Sequence, residues 1–570
     1  MPTPMSLPAL NAATCASPLF ALHSSLLTLH SGGLAFVWPQ PLAPAHNLGI
    51  SALLATLPLA VVLICMGGLR KSGALSAALG LGTASLLAIF VWGMPLHLAV
   101  LSGLFGFVYA VWPILWIVLS ALWIYNLSVD IGNFDLLRRW MSEHASGDPC
   151  VQAILVAFCF GALLEGTSGF GSPVAVAGFL LLGLGFPPRK AVTLALIANT
   201  TPVAFGGLGI PIVALAGVTG LNLMKLSAMV GRQLPFLSLL LPAYLVWVVA
   251  GAKGLKRAWR VALVGGGSFA LAQFLCSNYW GPYAADIVAA MASTACVVGL
   301  LKVWKPAPHV DDGTARAESP HAPEASLTAG QSLAAWAPWV LLAAVVGAWS
   351  YFHLFAVGQK NLPIPYLHNG VFITLYNKPY AAVFPFQPLA AGTAGITALL
   401  LTALFFRTPP RTVAQAGMKT LRQLRLPALT VGLIVALAYL YNYSGMAYTL
   451  GAFLAGMGKL FPLVSGFLGW VGCFLSGSDT SSNLLFGNLQ VAAAHQIGVS
   501  PTLLAAANSS GGVTGKMISP QNIAVGVTTV GLVGHEGDVA RSTLGHSLLL
   551  ALLLSLIVLA QAYWLTWMIP

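Results

Sequence analysis

Ten apolar stretches of bilayer-spanning length recur along the chain, near residues 49–69, 72–93, 99–128, 231–251, 260–276, 283–301, 333–356, 386–406, 427–445 and 542–568. No other feature restricts the fold so tightly. A spanning helix takes about 20 predominantly apolar residues. In hydrocarbon every backbone N–H and C=O must bond within the protein, so only helices and closed barrels can cross. Long runs without polar alternation are helical, and the expected class is an all-α polytopic membrane protein. Charge agrees with this: 7% of the 570 residues are charged, against roughly a quarter in a soluble domain.

The net charge of +12 does not point to nucleic acid, because the basic residues lie between the apolar runs. Arg70-Lys71, Arg138-Arg139, Arg189-Lys190, Lys253 to Arg260 and Arg407 to Arg425 follow the positive-inside pattern of cytoplasmic loops. On that rule the first span runs from outside to inside, and the loops at 130–149, 253–260, 302–332 and 407–425 are internal. Residues 302–332 collect Lys302, Lys305, Asp311, Asp312, Glu318, Glu324 and several prolines, and are expected to be a cytoplasmic linker between two halves, 49–301 and 333–570. The Pro- and Tyr-rich stretch 357–385 is expected outside. Residues 1–48 have no Lys or Arg, so they lack the basic start of a cleaved signal. They read as an extracytoplasmic or interfacial extension, with a membrane helix around 12–38 as the rival reading.

Seven scattered cysteines give no CxxC pair, so neither a zinc site nor a disulfide framework is expected. His97, His353, His368, His495 and His535 read as interfacial, with His495 a candidate for assisting proton movement. SGGVTGKM (510–517) resembles a phosphate loop only superficially: it lacks the first glycine and the hydroxyl after lysine, and no strand precedes it. No cofactor, metal or nucleotide is expected.

Two regions interrupt apolar runs with Gly, Ser, Thr, Asn and Pro. The first is GALLEGTSGFGSP (161–173) followed by IANTTPVAFGGLGIP (197–211); the second is GCFLSGSDTSSN (472–483) followed by AANSSGGVTGKMISP (506–520). Unwound backbone at membrane depth survives only inside protein or beside a water-filled cavity. The regions also match each other in order: Gly161 with Gly472, Leu164 with Leu475, Gly166 with Gly477, Thr167 with Ser478, Asn199 with Asn508, Thr200-Thr201 with Ser509-Ser510, Gly206 with Gly515 and Pro211 with Pro520. The basic loops place the first break on a hairpin entered from inside (150–187, with a broken helix at 189–219). The second falls on one entered from outside (463–498, with a broken helix at 501–532). Such an inverted repeat brings its polar tips together near the midplane and forms a transport site. The expected architecture is about twelve spans plus two re-entrant hairpins, with the other helices as scaffold and any homo-oligomer contact.

Of thirteen acidic residues, Glu165, Asp286 and Asp479 fall at membrane depth, where an acid needs a reason. Glu165 and Asp479 sit in the repeated breaks and are candidate proton carriers; the competing role is capping of nearby backbone amides. Asp286, near the end of its span, reads as a boundary acid and is left out. Lys516 either meets a substrate carboxylate as a compact charge or pairs with Glu165 or Asp479. Candidate substrate ligands are Thr167, Ser168, Ser478, Thr480, Ser481, Ser482 and Asn483 at the hairpin tips, and Asn199, Thr200, Thr201, Asn508, Ser509 and Ser510 at the second breaks. Helix arms starting there offer free N–H groups to a small anion. Any one hydroxyl alone is better read as a local cap.

In LLEGTSGFGSPVA (163–175), IANTTPVAFGGLGIPI (197–212), VGRQLPF (230–236), GSFALAQ (267–273), YNYSG (441–445), LSGSDTSSN (475–483), QIGVS (496–500) and NSSGGVTGKMISPQNIAVG (508–526), the chain resembles the L-lactate permease family. The resemblance runs from about residue 49 to the C-terminal LTWMIP and leaves out 1–48 and 302–332. It implies a bacterial inner-membrane carrier, not an enzyme, that takes up a small 2-hydroxy monocarboxylate: L-lactate, with D-lactate and glycolate, by proton symport. Family members often carry Ala where Thr167 and Ser168 stand, which implies that these two tune the site. The doubled hairpin plan is similar to the wider ion-transporter superfamily. Sodium coupling is the alternative within the transporter class, since Asn, Ser and Thr around unwound backbone suit Na⁺. An anion channel is the alternative outside it.

Overall fold

A computed structural model describes residues 27–30, 33–144, 148–169, 171–304 and 326–570. Most of the extension expected at 1–48 and of the linker expected at 302–332 lies outside them. The described residues are predominantly helical, and ten of their helices are long and apolar enough to cross a membrane, or eleven if one bent pair counts as a span. This is the polytopic all-α class that the apolar runs require. The helices Leu48–Gly68, Gly73–Phe90, Leu96–Asp130, Ala285–Val303, Ala329–Tyr351, Pro410–Tyr443 and Glu536–Tyr563 correspond to apolar runs in the sequence.

The helix Leu234–Tyr279 contains two runs. At Gly251 (φ +61, ψ −158) the chain reverses, and Ser238 Oγ on one arm donates to Gln273 Oε1 on the other at 2.8 Å. Only glycine adopts such a backbone without steric cost.

Irregular structure gathers at one end of the bundle. Lys360–Pro363 pairs with Val383–Phe386, and Val371–Ile373 pairs with both Lys378–Pro379 and Trp38–Pro39. Gln40 Nε2 donates to the carbonyls of Asn442 and Tyr443 at 2.9 and 2.8 Å, tying the 38–45 segment to the end of the Pro410–Tyr443 helix. Residues 27–30 and 33–36 pair as antiparallel strands, so the helix considered around 12–38 does not continue through them.

The two motif-bearing regions form matching units. In the first, Pro149–Thr167 is followed, after Ser168, Gly169 and Gly171, by Ser172–Gly183; then Pro188–Ala198 and Val203–Thr219 meet at a 65° bend. In the second, Phe461–Ser476 turns at Gly477 (φ +70) into Asp479–Ile497, and Pro501–Lys516 is followed after three residues by Pro520–Thr529. We call these the first and second hairpins and the first and second broken helices.

Candidate functional site

The two broken helices unwind at different registers, because their prolines differ. In the first, Pro202 disfavours helix at Thr201, so Pro188–Ala198 ends at Asn199. Gly207, Leu208 and Gly209 then take a left-handed turn (φ +53, +62 and +74) before the chain resumes near Pro211. The second motif has Gly511 where the first has Pro202, and the helix continues. Asn508, Ser509 and Ser510, expected at a break, instead lie inside Pro501–Lys516, and the unwound residues are Met517–Ser519. Pro520 then occupies the first turn of the outgoing arm, whose Ser519 cap accepts from Asn522 N at 3.3 Å.

Glycine brings the second unit close-packed. A Cβ at Gly469 would come within 1.9 Å of the Asn508 carbonyl oxygen, and one at Gly511 within 2.0 Å of the Gly466 carbonyl oxygen. In lipid, where burial of apolar surface gives helices little reason to associate, such close backbone approach is a principal source of cohesion. It also points the polar face of Pro501–Lys516 at the hairpin tip.

Each unit reaches into the other. Lys516 Nζ, at the end of the second broken helix's first arm, donates to Glu165 Oε1 on the first hairpin at 2.7 Å, with both side chains buried. Reciprocally, Asn483 Nδ2 on the second hairpin donates to the Pro211 carbonyl of the first broken helix at 3.1 Å. Asp479, buried at the tip of the second hairpin, accepts at Oδ2 from Ser509 Oγ (2.7 Å) and Asn483 Nδ2 (3.3 Å). From there Asn508 Nδ2 donates to Asn483 Oδ1 at 3.0 Å, and Gln490 Nε2 to Asn508 Oδ1 at 3.2 Å. Ser510 Oγ donates to Gln233 Oε1 at 2.7 Å.

Lys516 thus takes the ion-pair role that the sequence left open beside substrate binding. Hydroxyls at the first hairpin turn are spent locally: Thr167 Oγ1 donates to Leu163 O and Ser168 Oγ to Leu164 O, each at 2.9 Å. Ser478 caps Asp479–Ile497 by accepting from Ser481 N at 3.3 Å, and Ser482 Oγ bonds Gly469 O at 2.9 Å. Ser481 is buried and Thr480 half-buried beside them. Asn199, Thr200 and Thr201 are buried at the first bend. Among the described residues, Asn199 Oδ1, Thr200 Oγ1, Thr201 Oγ1, Glu165 Oε2 and Asp479 Oδ1 are buried without a hydrogen-bond partner. Buried polar atoms are normally partnered; these five belong to the two motif-bearing regions, and one of them is the second oxygen of the Glu165 carboxyl. Beside Lys516 and Asn199 the side chains of Val174, Leu196, Val513 and Met517 close around a gap too small for a water molecule.

Sequence reasoning missed Gln233, Gln273 and Gln490, all fully buried, and left out Asp286, which does stand in the first turn of its helix. Glutamine inside an apolar run, as in FALAQFL and GNLQVAA, was the available signal, because a buried amide needs partners as much as an acid does. Asp286 is 1% exposed and packs against the residue after Glu165. Among the described residues no group of three or more His, Cys, Asp or Glu could hold a metal ion.

Comparison with known proteins bears on the family. The family model described as L-lactate permease matches residues 51–565. The chain is 44% identical to the glycolate permease GlcA of Escherichia coli K12 over 93% of this chain and 99% of that protein. It is 42% identical to the L-lactate permease of the same strain (94% and 100%) and 41% identical to that of Bacillus subtilis 168 (94% and 100%). Among solved structures, the YdaH transporter of Alcanivorax borkumensis covers 78% of this chain and 84% of its own at 16% identity, with a TM-score of 0.41. A match across nearly the whole chain, to full-length relatives above 40% identity, makes this multi-pass bacterial inner-membrane protein a member of the L-lactate permease family of transporters.

Proposed function

We propose that the chain imports L-lactate, with D-lactate and glycolate as further substrates, across the inner membrane by proton symport. The relatives named L-lactate permease and glycolate permease support the substrate class. The observation that carries the coupling is the buried Lys516–Glu165 pair at 2.7 Å.

A pair of opposite charges in a low-dielectric interior is tolerable, while either charge alone costs several kcal/mol. A substrate carboxylate that takes Lys516 displaces Glu165, and the freed carboxylate then takes up a proton. Before loading, the pair is Lys⁺ with Glu⁻; afterwards it is Lys⁺ with lactate⁻ beside neutral Glu165. Net charge at the site is the same in both states, so empty and loaded carriers cross with a similar electrostatic cost. Anion and proton therefore move together.

The unpartnered oxygens of Asn199, Thr200 and Thr201 suit the substrate's 2-hydroxyl, and the apolar side chains of Val174, Leu196 and Val513 suit the methyl that separates lactate from glycolate once the gap between them opens. One methyl is worth about 1–3 kcal/mol, which fits a carrier accepting both. The re-entrant, oppositely oriented hairpins form the moving element in this reading, with Asp479 a second carboxyl able to carry a proton. The oxygens of Asp479, Ser509 and Asn483 also favour a second reading, in which Na⁺ is the coupling ion.

Radiolabelled L-lactate uptake into proteoliposomes of the purified chain decides between them. An acid-outside pH gradient should drive accumulation in sodium-free buffer, and a protonophore should abolish it. Accumulation that follows sodium and ignores the pH gradient would replace proton with Na⁺. Equilibration without concentration would indicate a channel.

A further inference from the structure

We propose that Asp286 passes the coupled proton to Glu165 from a tyrosine-lined cavity; this deepens the symport reading and rests on it. The cavity, about 350 Å³, is lined by Tyr109, Tyr283, Tyr380, Tyr439 and Asn442 among others. It lies beside the loop expected outside. Tyr283 is three residues before Asp286, and the neighbouring Pro282 packs at the left-handed turn, since a Cβ at Gly209 would come within 2.8 Å of it.

Asp286 stands in the first turn of Ala285–Val303, buried. Its Oδ1 accepts from Gln273 Nε2 at 3.3 Å. The same nitrogen lies 3.4 Å from the Thr201 carbonyl, and Ser238 holds the other end of the amide. Gln273 thereby fixes Asp286 against the first bend. Its Oδ2 has no partner among the described residues. On the opposite side, a Cβ at Gly166 would come within 2.9 Å of Asp286 Cβ, so the residue beside Glu165 has to be glycine for the two acids to approach.

The titratable groups around Asp286 are Glu165, Lys516 and the Cys276 thiol. Lys516 is bonded to Glu165, which leaves Asp286 with no cation of its own among the described residues. An unpaired buried carboxylate is costly, so Asp286 holds a proton between transfers. When substrate takes Lys516, the O–H bond on Asp286 breaks and a new one forms on Glu165 Oε2, the unpartnered oxygen of that carboxyl. Water in the cavity then returns a proton to Asp286.

The test uses Asp286→Asn in proteoliposomes with L-lactate, comparing two modes of transport. Uptake driven by a pH gradient should fall at least tenfold. Counterflow, which needs no net proton movement, should fall less than threefold, and Asp286→Glu should restore part of the driven uptake. Driven uptake at the wild-type rate, or an equal fall in both modes, overturns the proposal. Should Asp286→Asn not fold, Asp286→Glu carries the test: its driven uptake must show a displaced pH profile, and a profile matching wild type is fatal. Wild-type chain that ignores a pH gradient sinks the symport reading instead, which separates the two failures.

Discussion

Lys516 and Glu165 meet at 2.7 Å although 351 residues separate them in sequence, and the contact joins the two repeated units at their polar centre. Removing one partner of a buried pair leaves an uncompensated charge, typically at a cost of about 3–5 kcal/mol. Lys516→Ala should therefore lower thermal stability in detergent and abolish uptake. Adding Glu165→Gln to it should recover most of the stability and none of the transport. A double variant no more stable than the single would show that the pair does not hold the units together.

Glu165→Gln alone keeps a polar side chain of the same shape facing Lys516. Because the neutral amide leaves buried Lys516 without its counter-charge, the melting temperature should fall; counterflow should persist in the folded protein, while pH-driven accumulation is lost. Wild-type accumulation in this variant would remove Glu165 from proton coupling.

Gly206 lies against the same carboxyl: a Cβ there would come within 2.6 Å of Glu165 Oε1. Gly206→Ala should raise the KM for L-lactate roughly tenfold or more, the factor that about 1.4 kcal/mol corresponds to in binding. Expression should change little, since the obstruction meets a side chain and not backbone. An unchanged KM would mean that Glu165 can move aside freely.

Gly469 and Gly511 differ in that the obstructing atoms are backbone carbonyls. Overpacking of this kind costs about 1–3 kcal/mol or more, and Gly469→Ala should lower yield and melting temperature sharply. Gly82→Ala, with nothing within 4 Å of the added carbon, is the control and should be neutral.

Orientation can be read by labelling. In a cysteine-free background, Lys360→Cys or Lys378→Cys should react with an impermeant maleimide added to intact cells, and Arg411→Cys should react only after permeabilisation. The reverse pattern would invert the assignment of sides and with it the faces from which the hairpins enter.

The sequence made the spans legible because hydrocarbon demands length and apolarity, which are local properties. It also showed the repeat, because glycine, proline and hydroxyl residues recur in one order. What it left open depended on partners far away in the chain. Lys516 could be given two roles but not assigned one, since its acid belongs to the other unit. Asp286 reads as a boundary acid because it lies near the end of its run, yet depth counted along a helix does not reveal that the first hairpin covers it. Analogy with Asn199 to Thr201 puts Asn508 to Ser510 in a break, and the analogy fails where Pro202 is answered by Gly511. Gln273 and Gln490 went unnoticed because an uncharged amide draws no attention in a charge count.

The long separation between Glu165 and Lys516 bears on how the protein is made. At about 5–20 residues per second, the ribosome reaches Lys516 some tens of seconds after Glu165 has emerged. Through that interval the newborn first hairpin has an acid with no lysine to receive it. That acid stays without its counter-charge until the closing stretch of the polypeptide arrives to complete the pair.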